Sequence, residues 1–135
     1  MSASPSHDLQ RAIYQLLAAD PALLGEGAVI YDHPPGDASL PLILLGADRV
    51  RDASDKTMRG WLHDLGIEVF TAYQGHGQAK RLLAMIEAAL DGAVLGLNGA
   101  GVLWLRFQAA ETFMGADDPG MRGRMRLQAR TVAFD

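Results

Sequence analysis

Histidine, serine and carboxylate side chains carry most catalytic and metal-binding chemistry, and this sequence has them without a reactive arrangement. The histidines are His7, His33, His63 and His76. No two of them stand three or four residues apart, the spacing that places two metal ligands on one face of a helix. No serine lies in a Gly-x-Ser-x-Gly turn, and the absence of cysteine excludes thiolate nucleophiles, disulfides and cysteine-ligated metals. The sequence therefore predicts neither a metal site nor catalytic residues.

Two shorter motifs are also weak evidence for chemistry, because each lacks a feature that its chemistry requires. Gly75-His76-Gly77 precedes a helical pattern, as a phosphate-binding turn would, but the Gly-x-x-x-x-Gly-Lys-Ser/Thr spacing is missing. Asp117 and Asp118 are adjacent carboxylates in a loop with Gly and Pro, where nothing would bury them, and acid catalysis needs burial or a close like charge. A small α+β enzyme with a pocket near His63 or His76 is the least favoured interpretation.

The closing segment carries the feature that most needs an explanation. Arg122, Arg124, Arg126 and Arg130 alternate with smaller or apolar residues, so a strand would project all four from one face, about 6.6 Å apart for each two-residue step. The chain has 12 lysines and arginines and a net charge of −4, so this is a local concentration of positive charge. We predict either a solvated face that also protects a sheet edge, or a basic surface that meets DNA or an acidic neighbouring subunit.

Four apolar residues are candidate partner contacts. Leu62 and Phe70 point away from the alternating apolar face formed by Trp61, Leu65 and their strand neighbours. Met114 and Met121 flank the last hairpin loop. A strand covered on both faces would account for the first pair equally well.

Length and composition predict one folded unit. The chain has 135 residues, of which 49% are hydrophobic and 21% charged. We expect a single domain over residues 1–135, with residues 1–7 flexible. The longest apolar run is far shorter than the ~20 residues of a membrane helix, and the first residues lack the pattern of a signal peptide. No membrane partner is expected.

Periodicity predicts two helices and up to six strands. Apolar residues recur at helical spacing over 9–19, where Ser6 or Asp8 would cap the start, and over 79–90, where Asp91-Gly92 would end the helix. Strands are predicted over 28–31, 42–45, 61–73, 94–97, 102–113 and 122–134. Asn98-Gly99 predicts a type I′ turn, and Leu103, Leu105, Phe107 and Ala109 should share one strand face. The predicted fold is α+β, a mainly antiparallel sheet with two α-helices packed on one face.

The order of these elements resembles the tail-terminator, or tail-completion, family of phages and gene transfer agents. The resemblance covers nearly the whole chain and rests on order and spacing together. The matching features are the opening helix with Leu9, Ala12, Ile13 and Leu16, the strand ending at Tyr31-Asp32 before Pro34-Pro35, Pro41 before the strand that ends at Gly46, the alternating strand before Gly77, the 79–90 helix, Leu105-Arg106-Phe107, the acidic loop and the Arg-rich closing strand. Leu42 departs from the pattern, where an aromatic residue is expected after the proline.

The resemblance implies a structural virion protein with no catalysis and no cofactor. Such a subunit forms a ring, usually a hexamer, which caps the tail tube protein, contacts the stopper protein of the head connector and lets DNA pass through its lumen without sequence specificity. The protein would assemble in the bacterial cytoplasm and remain in the virion or phage-like particle. Another head–tail connector protein, an adaptor or a stopper, is the alternative.

Overall fold

The computed structural model describes residues 3–72, 75–115 and 120–134. Within these ranges the chain forms helices α1 (Ser6–Ala18), α2 (Pro21–Gly25) and α3 (His76–Leu90). The strands are β1 (Val29–Tyr31), β2 (Leu42–Leu45), β3 (Arg49–Asp52), β4 (Gly60–Phe70), β5 (Ala100–Met114) and β6 (Met121–Ala133).

One six-stranded sheet organises the described residues. Its order is β1-β2-β4-β6-β5, and β3 pairs with β4 beyond the end of β2. Every pairing is antiparallel except that of β1 with β2, which is parallel. The predicted α+β class and mainly antiparallel sheet are confirmed, and a third short helix and one parallel pair are added to it.

The core lies between the inner face of the sheet and the helices. Strand residues alternate between the two faces of a sheet, so every second residue of β4 and of β6 points inward. Burial follows this alternation along both strands, with Val69, Met125 and Ala129 fully buried. Helix α3 packs across β4, β6 and β5, and its apolar stripe, which includes Leu82 and Ile86, closes the core.

The N-cap of α1 differs from the prediction. Neither Ser6 nor Asp8 caps α1; Pro5 occupies the cap position, and the hydroxyl of Ser4 accepts from the Ser6 N–H at 3.2 Å. The short helix α2, which periodicity missed, is capped by Asp20, whose carboxylate accepts from the Leu23 N–H. The predicted end of α3 is confirmed, since Gly92 has a φ of +75°.

Strand β5 does not follow the predicted alternation. Register shifts between Val102 and Trp104 and between Phe107 and Ala109 each insert one extra residue. Leu103 is therefore 58% exposed, and Ala109 lies opposite Arg126 on the face away from the helices. Leu105 and Phe107 do share one face as predicted, and that face is the core side of the sheet.

Two further predictions near β5 are wrong. Residues 94–97 form no strand, and the ladder there is reduced to one bridge between Gly96 and Gly101. The Asn98-Gly99 turn is not type I′, because Gly99 has a positive φ and Asn98 does not.

The strand predicted over residues 61–73 is shorter in the structure, where β4 ends at Phe70. The predicted acidic loop with Asp117 and Asp118 lies outside the described residues.

Candidate functional site

The candidate site is the outer face of the sheet, defined as the side of β3, β4, β6 and β5 opposite the helices. Strand β6 lies in the interior of the sheet, between β4 and β5, and not at an edge. The predicted role of its arginines in protecting a sheet edge is therefore wrong. Their projection from one face is confirmed, because the alternate positions from Met121 to Thr131 point into the core.

The cross-strand neighbours of each arginine follow from the register. Arg122 lies between Phe70 of β4 and Phe113 of β5, and its guanidinium is 4.8 Å from the centre of the Phe70 ring. Arg124 lies between Glu68 and Glu111. These neighbours are aromatic or acidic, so they hold the arginine side chains on the sheet surface.

Arg124 makes two contacts with β5. It forms an ion pair with Glu111 at 3.4 Å, and its guanidinium carbon is 5.1 Å from the ring centre of Phe113. Both partners of the ion pair are substantially exposed, so the pair itself stabilises the fold by at most about 1 kcal/mol.

Arg130 points toward the hairpin that joins β3 to β4. Its register neighbours are Leu62 and Trp104, and its guanidinium lies over Gly60. Its charge contributes to lowering the pKa of Asp52, for which the hydrogen bond from the Ser54 hydroxyl is the largest cause. The positive charge of Arg130 is thus partly compensated by a carboxylate of the same chain.

Arg126 differs from these three. Its register neighbours are Gly66 and Ala109, which offer no polar side chain, and Arg126 is exposed. Among the described residues, the Arg126 side chain has no hydrogen bond or ion pair. It borders a shallow depression of about 400 Å³ that is also lined by Gln108, Glu111 and Arg124. Arg126 therefore presents the least compensated charge of the four arginines.

The outer face as a whole is positively charged. Arginines outnumber carboxylates on it seven to three, an excess of four positive charges in a chain whose net charge is −4. The arginines are Arg49, Arg51, Arg106, Arg122, Arg124, Arg126 and Arg130, and the carboxylates are Asp64, Glu68 and Glu111. Such a surface attracts polyanions without reading a sequence.

Comparison with known proteins gives this surface its context. The profile of the family described as "Tail completion protein gp17" matches residues 11–132. The chain belongs to this tail completion family. One chain in a solved structure entitled "Virion of native gene transfer agent (GTA) particle" is 35% identical, with a TM-score of 0.89 over 98% of this chain and 100% of that chain. No curated protein matches the sequence.

Its family and its match to a virion protein identify this tail completion protein as a structural component of a phage-like particle and not as an enzyme. The resemblance stated from the order of elements is confirmed. No helix in the described ranges is long and apolar enough to cross a membrane.

The four apolar residues predicted as partner contacts separate into three groups. Leu62 and Phe70 lie on the outer face and are half-buried, with Phe70 under Arg122. Met114 is 63% exposed at the end of β5. Met121 is 3% exposed, because its position in β6 points into the core, and the prediction that it contacts a partner is wrong for this conformation of the chain.

The two histidines considered for an enzyme pocket do not share a site. His63 is fully buried on the inner face of β4, where its Nε2 is 2.8 Å from the Thr131 hydroxyl. Burial lowers its pKa, and the charges of Asp48 and Asp64 oppose that shift. His76 is exposed at the start of α3, with its Nδ1 2.7 Å from the Thr112 hydroxyl. Over the residues described, no three His, Asp or Glu side chains are grouped to hold a metal ion.

Proposed function

We propose that this chain is the tail terminator of a phage or gene transfer agent particle. It forms a ring, in the family usually a hexamer, that caps the tail tube, joins the tail to the head connector and leaves a lumen for DNA. The single observation that carries the proposal is the cationic outer face of the sheet in an acidic chain. Membership of the tail completion family supports the same assignment.

Termination would follow from unequal ring faces. One face of the ring copies the contacts that tube subunits make with each other, and the opposite face does not, so polymerisation stops after the ring binds. The second face is then available to the stopper protein. Met114, at the exposed end of β5, is the residue that we propose for one of these axial contacts.

The outer face would form the wall of the lumen. Cationic side chains attract the DNA backbone, and each arginine that binds a phosphate firmly would slow the passage of DNA. Here Arg122 and Arg124 contact side chains of neighbouring strands, and Arg130 lies over Gly60, where its charge acts on Asp52, which reduces the demand of all three for phosphate. Arg126 remains available as a weak contact, which suits a channel through which DNA moves.

Particles that lack this chain test the terminator role. Electron microscopy should show overlong tails, or tails and heads that are not joined, because nothing stops the tube or connects it. A cryo-electron microscopy map of intact particles should place a ring of this chain at the head-proximal end of the tail tube. Normal, joined tails in its absence, or a ring seated directly on the head, would contradict the proposal and favour an adaptor or stopper.

Arg126→Glu tests the lumen assignment, with Lys80→Glu as the matched charge reversal, because Lys80 is exposed on α3, away from the outer face. If Arg126 lines the lumen, rings should form normally, as measured by native mass spectrometry, and DNA transfer should fall at least tenfold. Loss of the ring in Arg126→Glu alone would place this face at a subunit interface. Equal transfer by both variants would show that the outer face has no role in DNA passage.

A further inference from the structure

The sheet has a free edge at each end. Within the described ranges, β1 pairs with no strand other than β2, and β5 pairs with no strand other than β6. The segment after α3 covers one half of the β5 edge, where the Gly92 N–H donates to the Leu105 carbonyl at 2.9 Å. The Asp91 carboxylate accepts from the Phe107 N–H at 2.8 Å in the same half. Over residues 108–114, no strand of the described chain covers this edge, so that half is open.

The register places β1 level with the open half of β5. One row of directly opposite residues crosses the five strands from edge to edge, and its members are Ile30, Ile43, Val69, Gly123 and Thr112. The row on one side of it begins at Val29 and ends at Phe113. The row on its other side begins at Tyr31 and ends at Glu111. The two free edges therefore lie at the same height on opposite sides of the subunit.

The directions of the strands favour a pairing between the two edges. Strand β1 is parallel to β2, β2 and β6 are both antiparallel to β4, and β5 is antiparallel to β6. Strands β1 and β5 therefore have opposite directions within one subunit. A rotation about an axis along the strands preserves both direction and height, so the β5 edge of one copy and the β1 edge of the next would meet antiparallel, with Ile30 beside Thr112.

The open half of β5 presents backbone hydrogen-bonding groups at Thr112. In an antiparallel ladder, successive residues direct their N–H and C=O groups alternately to the two sides of the strand. The Met121 carbonyl accepts from the Thr71 N–H at 3.0 Å, on the β4 side of β6, so Gly123 also faces β4. Thr112 lies opposite Gly123 and therefore directs its N–H and C=O to the free edge.

The free edge of β1 presents the matching groups at Ile30. The Gly46 N–H donates to the Gly66 carbonyl at 2.8 Å directly after the end of β2, so Ile43, three residues earlier, faces β1 and not β4. In a parallel pair, Ile43 then bonds to the residues on either side of its partner Ile30. The N–H and C=O of Ile30 are thus left at the free edge. None of the three residues of β1 is charged or a proline, the residue types that protect exposed edges.

We propose that β1 of one copy of this chain pairs with residues 111–113 in β5 of the next copy, with Ile30 opposite Thr112, so that the sheet continues from subunit to subunit. This inference rests on the proposed ring and assigns its subunit interface. The interface is heterologous, since two different edges meet, and heterologous contacts generate rings when the rotation closes. Because a continuous sheet keeps its faces, the cationic outer faces of all copies would form one wall, as the lumen proposal requires.

Side chains on the outer face suit this joint. Val29 is 48% exposed and would lie directly opposite Phe113, which is half-buried. A β-branched residue opposite an aromatic one is a favourable cross-strand pair. On the same face, the open half borders the depression next to Arg126, so the approach of another strand is unobstructed there. An open strand edge of this kind is a template for pairing with another chain.

Engineered cysteines test the joint, because the native chain has none and gives no background disulfides. Purified particles that carry Val29→Cys with Phe113→Cys are oxidised, and this chain is detected by immunoblot after denaturing gel electrophoresis. The two residues would lie opposite each other in a non-hydrogen-bonded pair, with Cα atoms about 4.5 Å apart, within the range that a disulfide spans. A ladder of covalent oligomers that ends at the ring number is expected.

Two further cysteine pairs allow for strands that are tilted to the ring axis. Tilt slides the joint by two residues, the smallest step that keeps the faces matched. The additional pairs are Val29→Cys with Glu111→Cys and Tyr31→Cys with Phe113→Cys, and at least one of the three pairs should give the ladder. Val29→Cys with Leu103→Cys is the matched control, since Leu103 is 58% exposed on β5 but lies in the covered half, and it should stay monomeric.

The outcomes separate the joint from the ring. Rings with no ladder from any of the three test pairs would overturn the interface and leave the tail terminator role intact. Dimers from Phe113→Cys alone would show that two β5 edges meet, which also overturns it, as would a ladder from the control pair. Absence of any ring of this chain in the particles would instead reject the proposed function.

A proline at the free edge provides a second test. Because the Thr112 N–H faces the free edge, Thr112→Pro keeps the ladder with β6 but removes a hydrogen bond of the joint and places its ring where β1 would lie. Ring assembly, measured by native mass spectrometry, should weaken at least tenfold.

Thr112→Ala is the matched control for the proline. It also loses the hydroxyl that contacts His76 but keeps the N–H, so it should assemble normally. Matching thermal unfolding of the two variants confirms that folding is not the cause, and normal assembly of Thr112→Pro would contradict the inference. If Thr112→Pro unfolds at a lower temperature than the control, the cysteine pairs decide the matter.

Discussion

The two faces of β6 show how one strand supplies both the stability of the fold and a charged surface. Met125, Leu127 and Ala129 point inward and are fully buried between the sheet and α3. Arg124 and Arg126, on the same strand, point to the outer face, where neighbouring strands decide how much charge remains available. The inner face depends on close packing and the outer face on which side chain lies opposite, so equal substitutions should have unequal effects on the two faces.

Leu127→Ala and Arg126→Ala give the largest contrast, because these adjacent residues point to opposite faces. Leu127 is 1% exposed, and its truncation should lower the free energy of unfolding by about 2–5 kcal/mol through lost burial and a cavity. Arg126→Ala should change it by at most about 0.5 kcal/mol. Urea denaturation followed by circular dichroism measures both, and similar losses would mean that Arg126 has a structural partner.

Gly123→Ala should have the next largest effect. A Cβ at Gly123 would lie 2.7 Å from Val69 Cγ2 and 2.9 Å from Leu83 Cδ1, so these two buried side chains would have to shift. We expect a loss of about 1–3 kcal/mol in the free energy of unfolding. Gly96→Ala is the control, since nothing lies within 4 Å of its Cβ position, and it should be neutral or slightly stabilising. A neutral Gly123→Ala would show that the inner face tolerates repacking.

His63 should make the stability of the inner face depend on pH. Burial lowers its pKa below 6.5 in the folded state, so the unfolded chain binds a proton more readily. The free energy of unfolding should therefore be independent of this group above about pH 6.5 and decrease as the pH falls below it, by at most about 1.4 kcal/mol per pH unit. Denaturation at about pH 8 and about pH 5.5 measures this dependence. His63→Leu should flatten it, and an unchanged slope would assign the dependence to other groups.

The ion pair between Arg124 and Glu111 should contribute least. Both side chains are exposed, and a double-mutant cycle of Arg124→Ala and Glu111→Ala should give a coupling of about 0–1 kcal/mol that decreases with added salt. A coupling well above this range would mean that the outer face stabilises the fold as well as carrying charge.

Predictions from the sequence were accurate where local chemistry is sufficient. The alternation in β4 and β6 and the helical spacing in α3 each predict an element with one buried face. The structure has all three elements, each with its predicted face buried. In β5 the same reasoning placed Leu103 and Ala109 on one face with Leu105 and Phe107. That prediction is wrong because two bulges change the alternation, and no residue type in the segment indicates where they occur. The short helix α2 was missed because five residues are too few to show a helical period.

The sequence by itself determined that Arg122, Arg124, Arg126 and Arg130 share one face, because neighbouring residues of a strand point to opposite sides whatever the fold. Only the tertiary structure decided that β6 lies inside the sheet and that Phe70, Glu111 and Gly66 stand beside these arginines. Those neighbours come from strands more than ten residues away in the chain, and their pairing depends on register and bulges. The charge that each arginine leaves available to a partner is therefore a property of the assembled sheet.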